Sequence, residues 1–414
     1  MKYNTIKMED ALETIIDYRG KTPHKSDAGI ITLSAKSVKN NYIDYSQCYF
    51  ISKEEYSHFM IRGIPKKGDI LLTTEAPLGM VAKLDRDDIA IAQRLLTLRG
   101  KQGVLDNDYL LYYLQSSDGQ AALKARETGT TVTGIKQSEF RKIELNLPEY
   151  ENQKKISSIL RDIDDKIALN NAINCNLEQQ AQALFKEWFI DNPENAEWST
   201  GTFEELIQST LNGDWGKESP IGNNTEKVYC IRGADIPEVK VGNKGKMPTR
   251  YILLKNLTNK KLEAGDIVVE ISGGSPIQST GRCTPITQSL LDRYDSCMVC
   301  TNFCKAIKPK SGYCLFVYYY WQYLYEKGVF FSYEIFSYEN GTTGLKNLDF
   351  TGFIETEPIL IPPFDKILAF DKCCELIFNL VFANGKLNEQ LASLRDILLP
   401  KLISGELDVS AIEL

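Results

Sequence analysis

The sequence has 414 residues, 43% of them apolar and 25% charged. That is enough for two to four domain cores, and it excludes a disordered chain. A net charge of −7 excludes a uniformly basic protein, although a nucleic-acid reader needs only local positive patches.

Taken in chain order, helical patches are expected near Ile6–Asp17 and Tyr109–Arg126. Strands are expected over 28–34, 69–74, 79–84, 88–98 and 142–147, where Val, Ile and Tyr recur between Gly, Pro and Asn turns. A long helical segment then runs to Ile190. Its seam reads Ile156, Leu160, Ile163, Ile167, Asn170, Asn174, Leu177, Ala181, Leu184, Trp188, in the alternating steps of a heptad. As one helix, it would span about 60 Å. A stripe this narrow needs a partner helix. The second half offers a helical patch at Phe203–Leu211 and strands over 228–232, 266–271, 297–308 and 353–361. A last helical segment follows, with Phe370, Cys373, Ile377, Leu380, Asn384, Leu387, Leu391, Leu394 and Leu398 as its seam. Gly385 interrupts it, at a cost of about 1 kcal/mol relative to Ala. The apolar run Leu315–Leu324 is too short for the ~20 residues of a membrane helix. The N-terminus lacks a signal-peptide pattern. A cytoplasmic chain with reduced thiols is therefore expected.

The two halves repeat. Gly68-Asp69-Ile70-Leu71-Leu72 matches Gly265-Asp266-Ile267-Val268-Val269, and Gly134–Phe140 matches Gly344–Phe350. Each of the second blocks follows a Gly-Thr-Thr and leads to a strand ending in Pro, at Pro148 and Pro362. The order is domain, helix, domain, helix: 1–150, 151–190, 191–362 and 363–414. The fold class is α+β, with two similar mixed domains rather than a doubly wound sheet. The helix seam should pack Ile163, Ile167, Leu177 and Leu184 against Ile377, Leu387 and Leu394. Asn174 and Asn384 would coincide in the seam, where a polar pair can fix register. Phe185, Trp188 and Phe189 are too apolar for full exposure and should cover the second domain or a partner.

Catalytic patterns are missing. Gly213-Asp214-Trp215-Gly216-Lys217 is too short for a phosphate loop, and two histidines leave little for a His-based triad or zinc centre. Cys297, Cys300, Cys304 and Cys314 suggest zinc, but spacing of three along a strand turns neighbours to opposite faces. A carboxylate nuclease site could be built on Asp69 and Glu75, or on Asp266 and Glu270. Because each Asp follows a Gly in both copies, a structural turn is the simpler reading. A non-catalytic two-domain scaffold for a protein or glycan ligand is the other alternative.

Three segments carry a specific resemblance. Leu398-Leu399-Pro400-Lys401-Leu402-Ile403-Ser404-Gly405-Glu406-Leu407 and Leu184-Phe185-Lys186-Glu187-Trp188-Phe189 resemble the helical regions of type I restriction–modification DNA-specificity subunits. Tyr229-Cys230-Ile231-Arg232-Gly233-Ala234-Asp235-Ile236 resembles the opening of that family's target recognition domains. The resemblance implies two recognition domains held apart by an antiparallel coiled coil, with a pseudo-two-fold internal repeat. It also implies a chain without catalysis or cofactor of its own. Its partners would be double-stranded DNA, two modification subunits that use S-adenosylmethionine, and restriction subunits that use ATP and Mg. Two such heads would read half-sites about 34–36 Å apart or a multiple of that. For contacts to phosphates and base edges, the candidates are Lys21, Lys36, Thr74, Arg94 and Lys136 in the first domain. In the second they are Arg232, Ser275, Gln278, Thr343 and Lys346. The basic run Gly242–Lys261, which has no acidic residue, is either a patch for DNA or a solvated edge.

Overall fold

The computed structural model describes residues 1–129, 133–273, 278–331, 338–340 and 346–413. Ser275 and Thr343 lie outside them. The chain divides into two compact units, Met1–Asp165 with Leu391–Leu414, and Lys166–Gln390. The long helices are therefore not separate segments: each contributes to both units.

Unit 1 contains β1 (Tyr3–Lys7), β2 (Leu12–Asp17), β3 (Ile30–Leu33), β4 (Tyr49–Ile51), β5 (Ile70–Thr73), β6 (Val81–Lys83), β7 (Ile89–Ile91) and β8 (Leu95–Gly100). Helix α1 (Asn107–Gln115), β9 (Glu144–Pro148) and the start of α2 (Tyr150–Phe185) follow. One sheet has the order β2-β8-β5-β6 and a second has β4-β3-β7, while β1 pairs with β9. Where a helix is expected over Ile6–Asp17, strands flank one short turn (Met8–Ala11). Pairing of Leu12–Asp17 with β8 overrides the local helical pattern. The single strand expected over 88–98 is two strands broken by a turn at Ala92–Arg94.

Unit 2 repeats the plan. It contains β10 (Ser199–Gly201), β11 (Ile207–Asn212), β12 (Asn224–Ile231), β13 (Thr249–Leu253), β14 (Ile267–Glu270), β15 (Cys283–Pro285), β16 (Cys297–Cys300) and β17 (Cys304–Pro309). Helix α3 (Cys314–Glu326), β18 (Ile359–Ile361) and most of α4 (Phe364–Ser404) complete it. The sheets run β11-β17-β14-β15 and β13-β12-β16, and β10 pairs with β18. In both units a three-stranded sheet has one parallel pair, β3 with β7 and β12 with β16; unit 2 adds an antiparallel sheet of Ser272–Gly273, Lys346–Leu348 and Glu339–Asn340. The helix expected at Phe203–Leu211 is a short turn, Phe203–Leu206, leading into β11. The strand expected over 353–361 is a helical turn, Phe350–Thr356, before β18.

The repeated Gly-Asp is a turn that ends in a buried ion pair. Gly68 and Gly265 hold φ values of 91° and 97°, in the left-handed region that glycine enters without strain. The carboxylate of Asp69 then accepts from Lys66 N at 2.8 Å, and that of Asp266 from Glu263 N at 2.8 Å. Arg99 clamps Asp69 through two 2.7 Å bonds, whereas Lys308 reaches Asp266 at 3.2 Å. These aspartates are structural in both halves, as the turn reading expects.

The two long helices run antiparallel where they meet. In unit 2, Asn384 Nδ2 donates to Asn174 Oδ1 at 2.8 Å and Asn170 Nδ2 donates to Asn388 Oδ1 at 2.8 Å. Pro148 and Pro362 stand at the ends of matching strands. Counted from them, Asn170 corresponds to Asn384 and Asn174 to Asn388. Each asparagine thus pairs with the counterpart of the other, as in an exchange-symmetric contact. Asn174 is fully buried; its amide also donates to Val241 O and Val381 O, so the desolvated group is satisfied.

The seam of α4 is one residue away from the expected line. Ile367, Phe370, Cys374, Phe378, Val381 and Asn388 are buried, while Leu387 and Leu394 are 38% and 45% exposed; Ile377 is half-buried against the unit 2 core. The helix has two adjacent apolar stripes, and a close approach selects between them: a Cβ at Gly385 would lie 1.8 Å from Gly242 O. Gly385 is thus a contact point in an unbroken helix. On α2, Ile163 is buried while Ile167, Leu177 and Leu184 are half-buried.

The helix ends complete the cores. Phe185 and Phe189 pack on Phe316 and Phe370 in unit 2, with Trp188 beside them. Leu402, Ile403 and Val409 enter the core of unit 1, where the N-terminal ammonium lies 2.6 Å from Asp408. Among the described residues, no helix is long and apolar enough to cross a membrane.

Candidate nucleic-acid interface

In unit 1 the turn before β8 and the segment after β5 form one rim. Thr74 N donates to Arg94 O at 3.0 Å, and Ile135 N donates to Thr74 O at 2.9 Å. Arg94 holds a φ of 69°, which a non-glycine residue adopts at an energetic cost and which marks functional turns more often than others. Its side chain is 48% exposed and reaches Glu75 at 2.8 Å. A carboxylate in this position orients a guanidinium without removing it from solvent. Lys136 is exposed beside this rim, and Lys36 is exposed in the turn after β3. Lys21 is also exposed; it follows Arg19, whose guanidinium donates to Ile135 O at 2.5 Å. Thr74 is buried, 1% exposed. It shapes the rim through its backbone and offers no side chain to a ligand.

The same rim exists in unit 2 with other side chains. Ile271 N donates to Phe303 O at 2.9 Å and Leu348 N donates to Ile271 O at 2.8 Å. These bonds make Phe303 the counterpart of Arg94, and Leu348 that of Ile135. The sequence match of Gly134–Phe140 to Gly344–Phe350 is therefore displaced by three residues, and Lys346 is not the counterpart of Lys136. Lys346 Nζ instead lies 3.0 Å from Glu339. Arg232 is also committed inside the unit. It bonds the buried Asp235 through Nε at 2.9 Å and Nη2 at 3.1 Å, and donates to Lys246 O. The Gln278 carboxamide, oriented by its partners, accepts from Arg282 Nε at 2.6 Å. These three side chains brace the rim.

Phe303 and Trp215 were not singled out by the sequence reading. They are 57% and 37% exposed and line a cleft of about 520 Å³ with Arg232, Gly233, Ala234, Glu270, Thr301 and Asn302. The signal was Trp215 between two glycines, in a segment weighed only as a failed phosphate loop. The basic run supplies the support. The Arg250 guanidinium lies 3.9 Å from the centre of the Trp215 ring, and Lys260 donates to Gly213 O at 3.0 Å. Lys246, Lys255 and Lys261 of the same run are exposed.

Among the described residues, no group of three or more His, Cys, Asp or Glu side chains is placed to hold a metal. Cys230 and Cys304 are buried, and burial pushes their thiols up to about 12, which leaves them protonated and unreactive. In unit 2 the outer side of α4 exposes Leu376, Leu380 and Leu387.

Comparison with known proteins agrees with this layout. Residues 6–179 match the family model described as the type I restriction modification DNA specificity domain. The MjaIX type I restriction enzyme specificity subunit of Methanocaldococcus jannaschii is 28% identical over 385 residues, covering 87% of this chain and 82% of that protein. The HindI specificity subunit of Haemophilus influenzae is 34% identical over 131 residues, 30% of this chain and 28% of that one. Among solved structures, the S subunit of a type I restriction–modification system from M. genitalium covers 97% of this chain and 96% of its own. Its identity is 16% and its TM-score 0.53, a likeness of fold.

Proposed function

We propose that the chain is a specificity subunit of a type I restriction–modification system and that each unit reads one half of a split DNA target. A specificity subunit supplies sequence recognition and no catalytic step. The recognition domains are 1–150 and 191–362, and 151–190 and 363–414 are the spacer helices. One observation carries the reading: the same sheet order occurs twice, with different side chains on the matching turns. A single backbone frame thereby presents two readers to two unlike half-sites. Arg94, Lys36, Lys136 and Lys21 are the DNA contacts in unit 1. Phosphate contacts from such lysines fix position, and groups at base edges specify sequence.

The outer stripe of α4 is the docking face for modification subunits. S-adenosylmethionine would be held by those subunits, and ATP with Mg by restriction subunits. The test is to express the chain with its modification subunit in a methylation-free host and to map N6-methyladenine across the genome. One split, asymmetric motif is expected, and exchanging residues 1–150 for those of another specificity subunit should change one half of it. Absence of methylation would overturn the proposal, provided the subunits associate and the methyltransferase works with another specificity subunit.

A further inference from the structure

The aromatic notch of unit 2 has no equivalent in unit 1. The strand pairs Asp17–Leu96 and Asn212–Lys305 lead into turns that each carry a left-handed glycine followed by a lysine, Gly20-Lys21 and Gly216-Lys217, so Arg19 stands where unit 2 has Trp215. Arg94 stands where it has Phe303. Burying large aromatics is strongly favourable, yet these two remain in solvent on turns that cannot fold them away. Phe303 N is held by Thr301 Oγ1 at 3.2 Å, and Phe303 O accepts from Ile271 N and Ser272 N. Asp214 N donates to Cys300 O at 2.8 Å and Lys217 N to Tyr251 O at 2.9 Å. A Cβ on Gly213 would lie 1.8 Å from Thr301 O, so the two turns are pressed together. The notch is prebuilt and needs no ordering on binding.

We propose that Phe303, backed by Trp215, reads the 5-methyl group of a thymine in the half-site bound by unit 2; this rests on the function proposed above. The thymine methyl is the apolar mark on a major-groove base edge, and an exposed Phe is a side chain that contacts it. The surroundings favour DNA over an apolar protein segment. Arg250, Lys260 and Lys217 flank Trp215, and the run from Gly242 to Lys261 adds cations without one carboxylate. Glu218 answers Arg250 at 3.2 Å and Asp214 answers Lys260 at 3.5 Å, while Lys217, Lys246, Lys255 and Lys261 are exposed. A polyanion with an apolar group on its inner edge matches this pattern. At the matching place unit 1 presents Arg94, the residue type that pairs with guanine O6 and N7.

The test uses the complex of the full chain with its modification subunit. Once the methylated motif is known, duplexes are made with deoxyuridine in place of each thymidine, which removes only the methyl group. For the unaltered complex, one replacement in the unit 2 half-site should weaken binding about fivefold, and none should act in this way through Phe303 in the other half. In Phe303→Ala the thymine and uracil duplexes should bind equally, and the genomic motif should become degenerate at that position alone. Phe303→Arg, which copies unit 1, should shift the preference there towards guanine. The proposal is overturned if the unit 2 half-site has no thymine, if no replacement there weakens binding, or if the uracil effect survives in Phe303→Ala. A complex that methylates no split motif would instead remove the underlying function.

Discussion

The turns at Ala92–Arg94 and Thr301–Phe303 occupy matching places with two chemistries and two backbone conformations, since Arg94 is left-handed with a φ of 69° and Phe303 is not. Both are held by main-chain bonds: Ala92 N to Leu33 O and Thr301 N to Ile231 O on one side, Thr74 N to Arg94 O and Ile271 N to Phe303 O on the other. In unit 2 the Thr301 hydroxyl also accepts from Phe303 N at 3.2 Å, so the two turns share their main-chain anchors and differ in what closes the tip and in the side chain it presents. The buried Gly-Asp turn behaves differently. It is also repeated, but its side chain closes it, and Asp is kept in both units. What varies there is the cation, Arg99 or Lys308. A position closed by backbone is free to vary, and a position closed by a buried charge is not.

Three experiments would break or sharpen that contrast. The largest effect is expected at the buried pairs. Arg99→Ala leaves the buried carboxylate of Asp69 without its two-pronged partner and should cost unit 1 about 3–4 kcal/mol. Lys308→Ala should cost unit 2 about 1 kcal/mol, because burial already raises the pKa of Asp266 and the group can take a proton. Urea unfolding of the full chain, followed by probes in each unit, would measure both; equal losses would mean that the two closures are alike.

The next effect lies on the helices. Gly385 corresponds to Asn171 in the first copy. Gly385→Asn should cost unit 2 about 3 kcal/mol through the clash with Gly242. The reverse exchange, Asn171→Gly, should cost about 1–2 kcal/mol, from helix propensity and the lost bond from Asn388. Similar midpoints for the two variants in thermal unfolding would show that the close approach is not needed.

The smallest effect concerns the helix start that each unit caps in its own way. In unit 1, Asp106 caps α1 from within, accepting from Tyr109 N at 2.9 Å. In unit 2 the first amides of α3, at Leu315 and Phe316, donate to Asp371 of α4 at 3.2 and 2.8 Å. Burial pushes the Asp371 carboxyl up to about 6, against the amide bonds that lower it. The folded state therefore holds this proton more tightly than the unfolded chain does. Its contribution falls as pH rises from about 4 to about 6, by about 2–3 kcal/mol. Asp371→Asn keeps an acceptor and removes the titration. It should match the unaltered chain near pH 4 and exceed its stability by about 2–3 kcal/mol above pH 6. A constant difference across that range would exclude Asp371 as the source.

Much of the frame was legible because its signals are local and periodic. The Gly68-Asp69 and Gly265-Asp266 blocks are short-range turn chemistry, and the α2 seam is a heptad that any partner helix would have to meet. The site was less legible. Arg232 and Lys346 have the right chemistry for DNA, but each is paired within its unit, and Thr74 is buried. Phe303 lay inside an expected continuous strand, so the turn that exposes it was invisible. Asp235 lies three residues from Arg232, so that pairing could have been anticipated; the proximity of Trp215 to Phe303 could not.

The sequence by itself determined the repeat, the mixed α+β class, the two long helices and the lack of familiar catalytic patterns, because period and composition act over a few residues. Tertiary structure alone decided which of two apolar stripes on α4 turns inward, through the contact of Gly385 with Gly242. It also decided that the asparagines pair crosswise, and which cations remain uncommitted. Each of these depends on groups far apart in sequence, whose approach is fixed only when the sheets and helices have packed.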